Sequence, residues 1–230
     1  QERDDVLQFV KGGAWRSFLG RYDEVNQMHK KMLWVSNKVH SMPEGEAKER
    51  AMDHTWSAQC NCGYWHGLFG GIYLFHIRVA NYAHLIAAEE LADRAERKNE
   101  IWAQVERGDL DADAREEIIL NTDRQVLTFK PSYGGALVEW DWRDRRYNLL
   151  NTMTRQREGY HEELRRAAEN GRLFLPGEDE IPRGVKVKEP DVHTRLFYDW
   201  HRRAALLDHF LHDDTTPESF YQARYGEQGN

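Results

Sequence analysis

The side chains best suited to chemistry in this chain are gathered between Gln59 and Gly71, which reads Gln-Cys-Asn-Cys-Gly-Tyr-Trp-His-Gly-Leu-Phe-Gly-Gly. Cys60, Cys62 and His66, with His54 upstream, raise a metal site first. Zinc sites favour cysteines roughly two to four residues apart with a second ligand pair further on, and the single residue between these thiols fits that poorly. A Cys–His nucleophile pair is a second reading, but the local pattern of a thiol protease is missing. The third is a sharp turn between two helices that presents Asn61, Tyr64, Trp65 and His66 to a cleft. That set suits a sugar: an indole face covers the C–H face of a pyranose with its N–H free to donate, and Asn and His bond hydroxyls. Glycines allow the backbone to come close. A helix junction with buried aromatics explains the same composition, and residue chemistry leaves these last two readings even.

Carboxylates are the other reactive groups. Glycoside hydrolysis needs a carboxylic acid and a carboxylate at a fixed separation. Glu139 and Asp141 share one strand face, and a solvated or structural face is the expected role for them.

Elements must position these groups. Gly12–Tyr22 is Gly-Gly followed by aromatics. Val25, Met28, Met32, Val35 and Val39 step by three and four, the stripe of an amphipathic helix. Ser41–Gly45 breaks it, and Ala47–Cys60 reads as a second helix. Four glycines within Gly63–Gly71 oppose a regular helix there. Ile72–Ala95 reads as a long helix on Ile72, Phe75, Val79, Ala83 and Ile86, and Gly108–Asp113 as a linker. Val126–Phe129 and the alternating Ala136–Trp142 read as strands joined at Tyr133-Gly134-Gly135. Gln156–Glu169 is expected to be helical, Asn170–Asp191 a loop, Leu196–His212 a short helix or strand pair, and Asp213–Asn230 a polar end without caps.

The 230 residues allow one large domain or two small ones. Aromatic residues make up 12% of the chain, which argues for a folded protein rather than a disordered one. The net charge of −7, with no basic stripe, argues against nucleic acid. The run Arg143–Arg146 is interrupted by Asp144 and reads as a solvated face. No apolar run reaches the roughly 18 residues of a membrane span. The two cysteines are too close for a good disulfide, so a disulfide-free, cytoplasmic protein is expected. The start carries no signal-peptide pattern.

The block Gln59-Cys60-Asn61, Tyr64-Trp65-His66-Gly67 and Phe69-Gly70-Gly71-Ile72-Tyr73-Leu74 resembles glycoside hydrolase family 57, in the branch of 4-α-glucanotransferases and related α-amylases. Other stretches agree in order. Gly12–Arg16 and Asn26–Leu33 resemble the segment joining barrel to bundle. Tyr133–Gly135, Asn148–Thr152 and Tyr160-His161 resemble the start of the C-terminal β-sandwich domain, and Tyr198–Trp200 and Leu207–Leu211 fit the same region. The resemblance runs from Gly12 to Gly226. Where many members carry Asp after the Asn of the central block, this chain has Cys62. No match exists to the family's His-Gln-Pro start, nucleophile Glu or acid/base Asp, which lie upstream in the barrel.

The fold expected is mainly α: a helical bundle, then a short β-hairpin/α+β segment that begins a truncated β-sandwich domain. The expected divisions are 1–22, the end of the catalytic barrel and linker; 23–108, the bundle; 109–122, a linker; and 123–230, the start of the sandwich. The resemblance implies the non-catalytic central part of a retaining enzyme acting on α-glucan, in which a Glu attacks the anomeric carbon and an Asp protonates the leaving oxygen. It implies Asn61, Tyr64, Trp65 and His66 as substrate-binding residues, with the catalytic carboxylates outside the chain and no metal or organic cofactor. The expected partners are α-glucan or maltooligosaccharide, the upstream barrel of the same polypeptide, and a second copy in a homodimer of the full-length enzyme. The alternative is a stand-alone helical module that binds carbohydrate or protein without chemistry; a Cys/His metal protein is a weaker third.

Overall fold

The computed structural model describes residues 14–67, 70–98, 100–178 and 182–228. Gly12 and Gly13 of the aromatic segment and Phe69 of the central block lie outside them, as do residues 1–13 of the first expected division. The described residues divide into two units: residues up to Met153 with Ala204–Leu207, and Thr154–Arg203 with the chain from Asp208 onward.

In the first unit, the short helix α1 (Trp15–Leu19) leads into α2 (Asp23–His40). The three-and-four stripe of α2 turns inward: Val25, Met28, Val35 and Val39 are buried, and Met32 packs half-buried on the same core. Gln27 and Lys31 are buried on this helix as well. Helix α3 (Glu46–Ala58) buries Ala51, Thr55 and Ala58. Its small side chains let α4 (Phe75–Glu96) pack closely, with Tyr82, Leu85, Ile86, Ala88 and Ala92 in the shared core. Helix α4 starts at Phe75 rather than Ile72, because residues 71–73 form a 3₁₀ turn after Gly70, whose φ is +111°.

The same unit carries a five-stranded antiparallel meander: β1 (Ala103–Gly108), β2 (Glu117–Thr122), β3 (Gln125–Lys130), β4 (Ala136–Trp142) and β5 (Tyr147–Asn148), paired in sequence order. The hairpin expected at β3 and β4 is present, but the sheet begins before residue 123. Strand β1 falls within the expected bundle division and β2 within the expected linker. The hydrophobic pattern conceals β2 because its inward face is Glu117, Ile119 and Asn121, two of them polar. Leu137 at the start of β4 exchanges both backbone hydrogen bonds with Ala205, at 2.9 and 3.0 Å, which ties Ala204–Leu207 to this unit.

The second unit holds α5 (Gly159–Glu169), which follows an irregular segment that begins at Thr154, and a two-residue parallel pair, β6 (Leu173–Phe174) with β7 (Val185–Lys186). That pair lies inside the stretch expected to be loop. Leu196–His212 forms neither a regular helix nor a pair of strands; scattered backbone bonds and side chains order it. Asp199 accepts from the Arg155 backbone N–H at 2.7 Å and side chain at 2.6 Å, and from Arg203 at 2.9 Å. The chain after Asp213 does carry a cap: α6 (Pro217–Tyr221) is preceded by Thr216, whose hydroxyl accepts from the Ser219 N–H at 3.1 Å while Ser219 returns the bond at 2.9 Å.

Candidate functional site

The central block forms the junction from α3 to α4. A 3₁₀ turn at Asn61–Gly63 reverses the chain, and two glycines permit the tight packing that follows. A β-carbon on Gly63 would lie 2.6 Å from the Asn81 side-chain nitrogen, which itself donates to the Cys60 carbonyl at 3.2 Å. Gly71 has a φ of +49°, and a β-carbon there would collide with the Trp65 carbonyl oxygen, which accepts from Ile72 N–H at 3.0 Å. Arg78, buried on α4, donates to the Ile72 carbonyl and, at 3.0 Å, to Asn151. The junction is thus held from below by α4.

What it presents is an open groove of about 300 Å³ lined by Trp15, His29, Met32, Gln59, Asn61, Tyr64 and Trp65. Trp15 and Trp65 are 44% and 46% exposed, so both keep apolar ring surface toward solvent. Tyr64 is buried and its hydroxyl donates to the Ala58 carbonyl at 2.8 Å; burial pushes its phenol well above the usual range. It offers the groove a ring edge rather than a hydroxyl. Asn61 is exposed, with its side-chain oxygen 3.5 Å from the Cys62 thiol.

Three of the four residues expected from sequence therefore come together. His66 does not line this groove; its ring meets Tyr73 edge-on at 5.4 Å. His29 was quoted within a motif but not expected to bind. It stands on α2 between the rings of Trp15 at 5.8 Å and Tyr64 at 6.1 Å, edge-on to both. Its Nδ1 is buried without a hydrogen-bond partner among the described residues. Burial lowers its pKa, and the neighbouring Lys30 charge lowers it further, so the imidazole is held neutral. The signal for it lay in the helix period: His29 falls four residues after Val25 and three before Met32, on the apolar side of α2.

The metal and nucleophile readings of the block find no support in the geometry. Cys60 and Cys62 are free and exposed. His54 turns to His84, with Nδ1 to Nδ1 at 2.9 Å, and is not grouped with the thiols. Among the described residues, no cluster of three or more metal-type ligands includes either cysteine.

Glu139 and Asp141 are buried completely, contrary to a solvated face. Lys31 reaches from α2 to Glu139 at 2.8 Å and Asp141 at 2.6 Å, and also meets Glu89 of α4 at 3.2 Å. Lys38 continues the network to Glu89 and Asp93, both at 3.1 Å, and Arg143 pairs with Asp93. Burial opposes the charge on Lys31, but Asp141, Glu139 and Glu89 outweigh it and hold the ammonium well above its ordinary pKa. For Asp141 burial dominates: it raises the carboxyl well above its usual range, against Lys31 and with help from Glu139. A pair so enclosed has no room for a glycosidic bond, and its work is to join helix to sheet.

Residues 13–92 match the family described as alpha-amylase/4-alpha-glucanotransferase, middle domain, and residues 109–230 match the corresponding C-terminal family. The chain is 37% identical to alpha-amylase 1 of Dictyoglomus thermophilum over 222 residues, covering 95% of this chain and 30% of that protein. It is 36% identical to the 4-alpha-glucanotransferase of Thermococcus kodakarensis over 233 residues, covering 99% of this chain and 32% of that one. The crystal structure of the 4-alpha-glucanotransferase from Thermococcus litoralis superposes with a TM-score of 0.74 at 32% identity, covering 99% of this chain and 30% of the other. The chain thus spans about a third or less of the length of these relatives.

Proposed function

Because the chain belongs to the alpha-amylase/4-alpha-glucanotransferase family, glycoside hydrolase family 57, we propose that it forms one wall of an α-glucan-binding cleft and leaves the bond-breaking carboxylates to another part of a longer polypeptide. The observation that carries this reading is the groove in which the half-exposed Trp15 and Trp65 stand beside Asn61 and a neutral His29. Apolar faces interleaved with a few hydrogen-bonding groups are what a glucose unit requires: stacking on its C–H face and partners for its hydroxyls. Trp65 stacks on a glucose ring, Asn61 bonds a hydroxyl, and Tyr64 and His66 hold the junction in shape.

In this reading the chemistry is a retaining reaction on α-1,4-glucan, hydrolysis or transfer, completed by a catalytic barrel that docks on this chain. The full-length enzyme pairs as a homodimer in the cytoplasm, where the exposed Cys60 and Cys62 stay reduced. Among the described residues no helix is long and apolar enough to cross a membrane.

The test is a titration of the chain with maltooligosaccharides followed by tryptophan fluorescence, with a reducing-sugar assay alongside. The expected result is saturable binding that weakens in Trp65→Ala, and no turnover. Unchanged binding in Trp65→Ala removes the groove from the account, and turnover by the chain alone removes the division of labour.

A further inference from the structure

The second unit has a small core for its length. Among the described residues its buried apolar side chains are Leu164, Ala167, Phe174, Val187 and Tyr225. Among the described residues from 196 onward, the only helix is the five-residue α6. Both cysteines lie in the other unit, so no disulfide within the chain ties this one together.

Three side chains of this unit converge, two of them eight residues apart and the third near the end of the described chain. His201, His209 and Glu227 each bring one ligand-type atom to within 4.8 Å of the others, and the two imidazole centroids are 4.6 Å apart. His201 Nδ1 lies 3.0 Å from the Arg202 carbonyl oxygen, which makes that nitrogen the N–H donor. Its Nε2 is left with the lone pair, 3.0 Å from the Tyr225 hydroxyl. A backbone carbonyl that sets the tautomer in this way is the usual outer partner of a metal-bound histidine. His209 Nδ1 abuts the Glu227 carboxylate.

The backbone holds the arrangement. Leu211 and Glu227 form an antiparallel bridge, His212 N–H donates to Gly226 at 3.1 Å, and Gln228 N–H donates to Phe210 at 2.7 Å. Aromatic rings close around it: Trp200 and Phe220 stack on Tyr225 at 4.5 and 4.7 Å, and Phe220 meets His209 edge-on at 5.7 Å.

We propose that His201, His209 and Glu227 form a zinc site that clips the segment around residue 201 to the C-terminal pair of segments. Two imidazoles and one carboxylate are a borderline nitrogen–oxygen set of the kind zinc takes, whereas calcium and magnesium call for oxygen throughout. Water or the Tyr225 hydroxyl fills the fourth position. The role is structural: the ion holds together segments that are otherwise joined by scattered hydrogen bonds and ring contacts.

The experiment uses the 230-residue chain carrying Cys60→Ser and Cys62→Ser, so that thiols do not compete, stripped with chelator and titrated with zinc chloride. One zinc per chain is expected, with a rise in Tm, and cobalt(II) in its place is expected to give the visible absorption of a four-coordinate nitrogen–oxygen site. His201→Ala and His209→Ala are each expected to weaken uptake by more than about tenfold. Glu227→Gln, which preserves size and hydrogen bonding, covers the case in which an alanine variant does not fold. Less than one zinc per chain, or uptake that all three substitutions leave unchanged, overturns the proposal and leaves a hydrogen-bonded cluster.

Discussion

Lys31 and Glu139 meet at 2.8 Å in the interior of the first unit, with side-chain exposures of 3% and 0%. One residue comes from α2 and the other from β4, so a single ammonium joins the helices to the sheet. Removing it strands Glu139, Asp141 and Glu89 without their shared counter-ion. Lys31→Met is expected to lower the unfolding free energy by about 3–5 kcal/mol, since breaking a buried pair leaves uncompensated charge. Urea denaturation followed by circular dichroism measures this, and a loss below about 1 kcal/mol, the value of a surface pair, would contradict the buried network.

The two carboxylates on β4 should respond differently to neutralisation. Glu139 accepts from Gln27 at 3.0 Å as well as from Lys31. Asp141 has the Lys31 ammonium, and no hydrogen-bond donor reaches its oxygens otherwise among the described residues. Glu139→Gln is therefore expected to cost about 1–3 kcal/mol, whereas Asp141→Asn, already pushed toward its neutral form by burial, is expected to be neutral or stabilising. The same denaturation series checks both, and equal losses would remove the distinction.

Gly71 cannot be replaced without moving the junction. Its φ of +49° lies in the region L side chains avoid, and a β-carbon there meets the Trp65 carbonyl. Gly71→Ala is expected to cost more than about 1–3 kcal/mol of stability and to weaken glucan binding with it. Trp65→Ala, by contrast, alters a half-exposed ring. It should weaken maltooligosaccharide binding about tenfold, which corresponds to about 1.4 kcal/mol, while shifting Tm little. Measuring both quantities on both variants separates a support from a contact.

Stability should fall with acid, beginning near neutrality. Burial is the first cause that lowers the imidazoles of His29, His54 and His161, joined by Lys30 at His29 and by His84 at His54. The unfolded chain, with histidine pKa near about 6.5, then binds more protons than the folded one, so unfolding stability rises with pH in this range. The contribution is fully present above about 6.5 and is lost as pH falls through the lowered folded values. A second loss follows below the ordinary carboxylate range, because Lys31 and Lys38 hold Glu89 low against its burial, and Arg155 and Arg203 do the same for Asp199. The raised Asp141 carboxyl works in the opposite sense, so the melts are made on Asp141→Asn from pH 8 to pH 4 and should show this decline; a Tm unchanged between pH 7.5 and 5.5 in that variant would rule out the histidine contribution.

What the residues alone determined is local and periodic. The step of three and four on α2 is a property of side-chain order, and burying that stripe is the dominant favourable term for any partner it finds. On α4 the expected Phe75, Val79 and Ala83 stay exposed or half-buried, and the core takes Tyr82, Leu85, Ala88 and Ala92 beside the expected Ile86. The alternation of Ala136–Trp142 likewise marked β4 to its ends. The glycines of the central block located the turn, since helix cannot run through them cheaply, and its motif order carried the family. Three of the four expected binding residues share the groove for that reason.

Which face of a strand points inward was decided only by the tertiary structure. On β4 the aromatic side, Trp140 and Trp142, is the more exposed one, and Glu139 and Asp141 are inside. On β2 the inward face holds Glu117 and Asn121. Polarity points such side chains to water until a cation or amide from another element compensates them, and Lys31 and Arg143 are distant from their partners in the chain. The same holds for His29, whose place in the groove depends on Trp15 and Tyr64 arriving from two other segments, and for His201, His209 and Glu227, whose spacing along the chain follows no ligand pattern. Long-range pairing of polar groups leaves no period in sequence, because its energy depends on which elements the hydrophobic stripes have already brought together.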